Sequence, residues 1–189
     1  MVRLKIVCIS GKAESGKTTA ANVMAETWRD MGLEVLIANF GDLVKHVCTK
    51  FFDWGGEKDE YGRFLLQYVG TQKVRGRSPD YWVNFIASML TFFPDEWDIV
   101  IIADARFPNE IEVLKAFGFD VTTVRIDRPN HVSRLTPEQL KNESETALDD
   151  YAFDWHIEND TATRSEFEYI VRGFLKLCLN DELGIENRI

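Results

Sequence analysis

The chain has 189 residues, 45% of them hydrophobic and 28% charged, a composition that is typical of a globular protein and excludes a disordered one. Its formal net charge of -9 argues against a surface for polymeric nucleic acid, which usually needs a basic footprint. No apolar segment is long enough to span a membrane, and the apolar run at the N-terminus is too short for a signal segment. Three cysteines lack metal or redox spacing, so we expect small buried thiols in a reducing, cytoplasmic setting. They are Cys8, Cys48 and Cys178.

The first predicted element is a buried strand over residues 4–10, which are apolar and rich in β-branched side chains. It leads into residues 11–18, GKAESGKT, which match the phosphate-binding loop pattern G-x-x-x-x-G-K-[ST] at every fixed position. Apolar residues at helical spacing follow over 20–31, and Gly32 suits the cap at the helix C-terminus. Strand, glycine loop and helix therefore follow in the order that a nucleoside triphosphate site requires.

Each residue type of this loop has a physical role. Gly11 and Gly16 let the backbone curl so that successive N–H groups point at phosphate oxygens, and the helix N-terminus adds partial positive charge. Lys17 can reach the β- and γ-phosphates, and the hydroxyl of Thr18 can ligate Mg²⁺. The loop thus predicts ATP and Mg²⁺ as cofactors. The residues expected to contact ATP are Gly11, Ala13, Ser15, Gly16, Lys17, Thr18 and Thr19.

A second strand over 34–38 is followed by helical patterns over 43–52, 64–68 and 80–90, and we expect Gly70 to end the second of these helices. This helical middle should pack beside the carboxyl edge of the sheet. It carries a local basic cluster of Arg63, Lys73, Arg75 and Arg77. Such a cluster in an acidic chain suggests a small anionic ligand, for which Arg75 is a candidate, with plain surface charge as the alternative.

The clearest buried strand covers residues 97–104 and ends in Asp104. In sheets of this type ligands bind at the carboxyl edge, where Asp104 can hold Mg²⁺ directly or through water. The alternative role for Asp104 is to cap the helix that Pro108 begins. Arg106 projects from the same edge and can grip a phosphoryl group with two hydrogen bonds.

A fourth strand covers residues 121–126, and a polar stretch over 127–154 is long enough for a lid. Its Arg128 and Arg134 can close over the phosphates, although a plain polar loop remains the alternative. A short last strand follows at residues 155–157.

Ser165 and Glu168 form the pattern of a capping box before a final helix. Strands that alternate with helices predict an α/β fold with three layers, α/β/α, around a parallel sheet of about five strands.

Five further segments form a succession: residues 63–71 (RFLLQYVGT), 80–83 (DYWV), 104–110 (DARFPNE), 143–148 (ESETAL) and 154–160 (DWHIEND). Together with the glycine loop, this succession resembles the bacteriophage-type deoxynucleoside monophosphate kinases, within the wider nucleoside monophosphate kinase group. The resemblance runs from Ile6 to about Phe174.

The resemblance implies transfer of the γ-phosphoryl group of ATP to a deoxynucleoside 5′-monophosphate, giving ADP and the diphosphate. It also implies a single P-loop kinase domain over 1–189, with a helical acceptor-binding insertion over 40–95 and a lid over 127–154. Arg63, Gly70, Thr71 and Trp82 would line the acceptor site. Asp104, Arg106 and Glu110 would lie between acceptor and donor. Nucleotides would be its partners, and homodimer formation is a further expectation of the resemblance.

Two residues depart from the usual pattern of that family: Glu14 stands where relatives often have a basic residue, and Thr18 where some have Asp. A phosphate oxygen is already a nucleophile, so catalysis needs positioning and charge neutralisation rather than a strong base. The expected catalytic residues are Lys17, Asp104, Arg106 and Arg128. The alternatives are a kinase for another phosphorylated acceptor, of the dephospho-coenzyme A or phosphomevalonate type, and a nucleotide-binding module without transfer activity.

Overall fold

The computed structural model describes residues 4–57 and 59–185. At its centre lies a five-stranded sheet in the order β2-β3-β1-β4-β5, in which every pairing is parallel. Both the predicted number of strands and their parallel arrangement are confirmed. The strands are β1 (Lys5–Ser10), β2 (Val35–Ile37), β3 (Ile99–Ile102), β4 (Asp120–Asp127) and β5 (Trp155–Glu158).

Helices connect the strands and cover the sheet. They are α1 (Lys17–Asp30), α2 (Phe40–Phe52), α3 (Glu60–Gln67), α4 (Tyr81–Phe92), α5 (Pro108–Ala116), α6 (Pro137–Leu140), α7 (Glu143–Thr146), α8 (Arg164–Phe174) and α9 (Asn180–Glu182). Two stretches with the wider turn of a π-helix, Tyr68–Arg75 and Leu175–Leu179, continue α3 and α8.

Alternate side chains of each central strand point to opposite faces of the sheet, and each face has its own core. Val7 and Ile9 of β1 belong to the core that includes α1 and α8. Ile6 and Cys8 belong to the other core, which includes α2, α4 and α5. The sheet is therefore covered on both faces, as the three-layer prediction requires.

The prediction that Gly70 ends a helix is wrong. Helical backbone continues through Gly70 to Arg75. The glycine suits close packing instead, since a Cβ there would lie 3.1 Å from Val44 Cγ1. The capping box is also two residues earlier than predicted. The side chain of Thr163 accepts a hydrogen bond from the Glu166 backbone N–H at the start of α8, and the predicted Glu168 pairs with Arg164 instead.

The polar stretch over 127–154 contains α6 and α7 and is less irregular than the sequence suggested. Cys8 and Cys48 are buried free thiols, whereas the side chain of Cys178 and the ends of the predicted domain lie outside the described residues. Among the helices of the described part, none is both long and apolar enough to cross a membrane.

Candidate active site

The glycine loop connects the end of β1 to the start of α1, and its two glycines have conformations that side chains rarely adopt. Gly11 has φ 151° and Gly16 has φ 107°. A Cβ at Gly11 would lie 2.5 Å from the carbonyl oxygen of Ile126, and one at Gly16 would lie 2.7 Å from Asn159 Nδ2. Both conformation and close packing therefore demand glycine at the positions that the sequence pattern fixes.

The loop contains polar groups that can bind an anion. Helix α1 has no side-chain cap at Gly16, so its first N–H groups keep the partial positive charge of a helix N-terminus. Ser15 Oγ is buried and has no hydrogen-bond partner within the part of the chain that the structure describes. A buried hydroxyl without a protein partner beside a helix N-terminus fits a loop that binds phosphate oxygens.

The ammonium group of Lys17 lies against the backbone of the glycine loop. Its Nζ donates hydrogen bonds to the carbonyl oxygens of Gly11, at 2.7 Å, and Lys12, at 2.6 Å. Burial lowers the pKa of Lys17 to about 8, and the positive charge of Arg106 adds to that lowering. A bound polyphosphate would raise the pKa of Lys17 again, because its negative charge would stabilise the protonated ammonium group.

Asp104 follows β3 at the carboxyl edge, as predicted, and its carboxylate lies at the start of α2. It accepts hydrogen bonds from the N–H groups of Phe40, at 3.0 Å, and Gly41, at 2.7 Å. It therefore caps α2 rather than the helix that begins at Pro108. Burial raises the pKa of Asp104 in spite of these bonds.

Thr18 and Asp104 provide the hydroxyl and carboxylate oxygens that Mg²⁺ prefers. Within residues 4–57 and 59–185 no group of three or more His, Cys, Asp or Glu side chains could hold a metal by itself. That donor set suits Mg²⁺ bound mainly through substrate phosphates rather than by an all-protein cage.

Arg106, Glu110 and Arg75 form one connected group. Glu110 accepts hydrogen bonds from the N–H groups of Arg106, at 2.7 Å, and Phe107, at 3.1 Å, and its Oε1 lies 3.2 Å from Arg75 Nη1. The Arg75 guanidinium stacks 3.6 Å from the ring centroid of Phe107 and bonds to Asn109. Burial raises the pKa of Glu110 to about 7, with the charge of Asp104 a further cause. The end of the π-helix is thus tied to the start of α5.

The other residues predicted to line an acceptor site are more scattered. Trp82 is buried, and its Nε1 donates to the carbonyl oxygen of Gly70 at 3.0 Å. Thr71 is partly exposed on the same π-helix. Arg63 lies exposed on α3, and its side chain forms no hydrogen bond or ion pair within the described residues. The structure joins Trp82 to Gly70 but does not bring Arg63 to Arg75.

The segment 128–134 lies against the glycine loop, and Glu14 is the point of contact. Arg128 Nη1 donates to the carbonyl oxygen of Glu14 at 3.2 Å, and the Glu14 carboxylate accepts from His131 Nε2 and from the Arg134 N–H, each at 3.1 Å. The hydrogen bond from His131 lowers the pKa of Glu14. The Arg134 side chain itself is 86% exposed. Glu14, one of the two residues that depart from the pattern of the resembled family, therefore holds this segment.

Two sets of residues near the loop were missed by sequence reasoning. Glu145 and Asp149 contact Lys12, Ala13 and Arg106, although only the resemblance had drawn attention to the first of them. A cavity of about 360 Å³ also opens between the loop and the chain after β5. Its lining includes the predicted residues Thr18, Thr19 and Arg128. The lining residues that were not predicted include Asn159, Thr161, Thr163 and Phe167. The signal that could have found Asn159 is its place one residue after β5, at the same carboxyl edge.

Comparison with solved structures finds the same fold in kinases of low sequence identity. The APS kinase CysC of Mycobacterium tuberculosis, in complex with AMPPNP and APS, aligns with a TM-score of 0.54 and 14% identity over 92% of this chain and 98% of that chain. Shikimate kinase from Aquifex aeolicus aligns with a TM-score of 0.50 and 19% identity, over 96% and 99%. A sugar kinase from Janibacter sp. gives 0.50 and 18%, over 93% and 96%. No protein-family model and no curated protein matches the sequence. The chain therefore shares the three-layer α/β fold of these kinases, and the likeness shows the fold alone.

Proposed function

We propose that this protein is an ATP-dependent phosphotransferase whose acceptor is a (deoxy)nucleoside 5′-monophosphate. The glycine loop carries the proposal: two positive-φ glycines, the uncapped start of α1 and the ammonium group of Lys17 meet at one place. Glu145 joins Arg106 to the Ala13 N–H of the loop, so a second cation would be available to the same phosphates. Small-molecule kinases among the proteins that share the fold agree with this reading.

In the reaction, an oxygen of the acceptor phosphate attacks the γ-phosphorus of ATP, and the bond from that phosphorus to the β–γ bridging oxygen breaks. The products are ADP and the nucleoside diphosphate. Lys17, Arg106 and Arg128 neutralise charge on the transferring group, and the N–H groups of the loop orient it. Thr18 and Asp104 would hold Mg²⁺, which would further neutralise the charge of the donor phosphates when bound.

On this proposal residues 1–189 form a single kinase domain, and residues 40–95 form its acceptor side. The ion pair between Arg75 and Glu110 joins that side to the start of α5, where Glu110 also accepts a hydrogen bond from the Arg106 N–H. An acceptor phosphate would compete with Glu110 and Asn109 for the Arg75 guanidinium. Gly70 and Thr71 of the π-helix and Trp82 of α4 would shape the acceptor pocket. Arg63, which lies apart on α3, would also contribute to it.

The cavity behind the glycine loop suits the donor nucleoside. Phe167 and the aliphatic part of Arg128 offer apolar contact, while Asn159, Thr161 and Thr163 offer polar groups that can fix orientation. Residues 127–154 would act as a lid over ATP, with Arg128 and Arg134 as its arginines. Their contacts with Glu14 support this proposal because they already join the segment to the phosphate loop.

The test is coupled ADP release with Mg-ATP against dAMP, dCMP, dGMP, dTMP and the ribonucleotides, with Lys17→Ala as the control. We expect acceptor-dependent turnover with at least one nucleotide and its loss in Lys17→Ala, which should retain the wild-type circular dichroism spectrum. Turnover that survives in Lys17→Ala would contradict the role of the loop. Turnover only with dephospho-coenzyme A, phosphomevalonate, APS or shikimate would change the acceptor and keep the phosphotransferase.

A further inference from the structure

Helix α7 and the residues after it are fastened to the glycine loop. Lys12 Nζ donates to the carbonyl oxygen of Glu145 at 2.6 Å and lies 2.5 Å from both carboxylate oxygens of Asp149. Asp149 also pairs with Arg125 of β4, at 3.1 Å. These bonds fix the backbone of α7 relative to both the loop and the sheet, so the side chain of Glu145 has a defined place.

That side chain bridges two groups that the proposed reaction uses. Glu145 Oε2 accepts a hydrogen bond from the Ala13 N–H of the loop at 2.8 Å, and Oε1 forms an ion pair with Arg106 Nη1. The Glu145 side chain is only 6% exposed. A buried carboxylate with two charge-assisted partners is a strong and directional contact. It joins the arginine after β3 to the backbone of the phosphate loop, across 132 residues of sequence.

One nitrogen of the Arg106 guanidinium group is hydrogen-bonded, and the other two have no acceptor among the described residues. Its Nη1 donates to Glu145 and, at 3.0 Å, to the carbonyl oxygen of Ser144. Its Nη2 and Nε form no hydrogen bond to any residue of the described part. An arginine fork held at one nitrogen keeps a second pair of donors aligned, which is the arrangement that binds a phosphoryl group through two bonds.

We propose that Glu145 is a positioning residue that fixes the Arg106 guanidinium over the glycine loop for phosphoryl transfer. This inference rests on the proposed function, because Arg106 is there given its role on the transferring group. Glu145 does not touch the reacting atoms in this mechanism. It sets the direction of the arginine that does, and its negative charge balances that arginine until the phosphates arrive.

A competing role is that the Glu145 carboxylate only occupies the loop as an anion and must leave when phosphate binds. The two roles predict opposite results. A competing anion weakens ATP binding, so its removal would lower the KM for ATP and leave kcat unchanged or raised. A positioning residue acts in the transition state, so its removal would lower kcat and change the KM for ATP little.

The experiment compares Glu145→Gln with the wild-type protein and with Glu143→Gln. The amide of Glu145→Gln can still accept from Ala13 but cannot pair with the charge of Arg106. Glu143 is on the same helix and exposed, and its side chain forms no hydrogen bond within the described residues, so it is the matched control. We expect kcat to fall about 10- to 100-fold in Glu145→Gln, with KM for ATP within about 3-fold, and no change in Glu143→Gln.

A double-mutant cycle tests whether Glu145 acts through Arg106. In an Arg106→Ala background the Glu145→Gln change should cost less than about 3-fold in kcat, because the group to be positioned is gone. An undiminished loss in that background, an unchanged kcat in the single variant, or a lower KM for ATP with kcat retained would each overturn the proposal.

A spectroscopic measurement separates failure of this inference from failure of the proposed function. In the wild-type protein the ¹⁵N-labelled guanidinium of Arg106 should give a slowly rotating, resolved signal that Glu145→Gln loses and Glu143→Gln keeps. If no acceptor gives turnover, the proposed function fails, while this signal still reports on the contact. An Arg106 signal unaffected by Glu145→Gln would overturn the inference whether or not the protein is a kinase.

Discussion

At the scale of single residues, Gly16 shows why the loop pattern is so restrictive. Its positive φ disfavours a side chain, and an added Cβ would press on Asn159 Nδ2 and on Phe167 Cε1, at 2.7 and 2.9 Å. Gly32 offers a matched comparison, because it has φ 83° but nothing within 4 Å of an added Cβ. The difference between alanine substitutions at the two positions therefore isolates the effect of crowding from that of backbone conformation.

We expect Gly32→Ala to lower the free energy of unfolding by about 1 kcal/mol, the usual cost of the left-handed conformation. Gly16→Ala should lower it by about 1–3 kcal/mol more, since the loop must also shift away from Asn159 and Phe167. Urea denaturation of the two variants measures both values. Equal losses would mean that the loop absorbs the added methyl group without strain.

Glu110 is the residue whose charge should make stability depend on pH. Its pKa is raised from 4.5 to about 7, mainly by burial, so the folded protein holds a proton that the unfolded chain has released between those values. The native state then binds more protons than the unfolded state, and stability falls as pH rises through that window. Above about pH 7, the pKa of Glu110 in the folded protein, the stability that this bound proton contributed has been lost.

The expected slope from this group is at most about 1.4 kcal/mol per pH unit between pH 4.5 and 7. In Glu110→Gln the amide oxygen can still accept from the N–H groups of Arg106 and Phe107, but nothing titrates. The free energy of unfolding of Glu110→Gln should therefore increase relative to that of the wild-type protein as pH rises from 5 to 8. Glu112→Gln, on the exposed side of the same helix, is the control. Parallel pH curves for wild-type and Glu110→Gln proteins would refute this account.

At the scale of elements, the π-helix Tyr68–Arg75 is held against α4 by a buried tryptophan. Trp82 Nε1 donates to the carbonyl oxygen of Gly70, and Trp82 is 5% exposed. Trp28, on the other face of the sheet, is a matched control residue for Trp82. It is 0% exposed, and its Nε1 donates to Asn180 Oδ1 at 2.9 Å. The two residues share chemistry and burial but differ in their distance from the proposed acceptor side.

Replacing either tryptophan by phenylalanine should lower the free energy of unfolding by about 1–3 kcal/mol, because a buried acceptor is left without its donor. Only Trp82→Phe should raise the KM for the acceptor nucleotide, since it loosens the helix that carries Gly70, Thr71 and Arg75. The KM for ATP should stay near the wild-type value in both. An equal change of acceptor KM in Trp28→Phe would show that lost stability alone explains the effect.

The elements also show which patterns could be predicted from sequence. Strands β1 and β3 were found because buried parallel strands are continuous apolar runs, which need only local information. The course of the π-helix was missed because its reason is tertiary: Gly70 fits against Val44. At the start of α8 the sequence analysis predicted Ser165 with Glu168, whereas the backbone places the capping box at Thr163 and Glu166.

At the scale of the whole molecule, the site is assembled from segments that are far apart in sequence. The glycine loop could be predicted because its chemistry lies within residues 11–18. The contact of Glu145 with Ala13 could not, since no periodicity relates residues 132 positions apart. The same holds for Glu14 and His131, which join the loop to the predicted lid.

Homodimer formation stays a prediction of the family resemblance.

A molecule whose binding site joins so many segments should be stabilised as a whole by its ligand. Any ligand that binds only the folded state adds about 2.7 kcal/mol of stability at a concentration of 100 Kd. For a chain of 189 residues this corresponds to a rise in Tm of about 5–10 °C. We expect Mg-ATP to give this rise in the wild-type protein at pH 7. Most of it should vanish in Lys17→Ala, because the loop then lacks the cation that is proposed to bind the β- and γ-phosphates. Differential scanning fluorimetry with a titration of Mg-ATP measures both. A full rise in Lys17→Ala would mean that ATP stabilises the fold from a site other than the glycine loop.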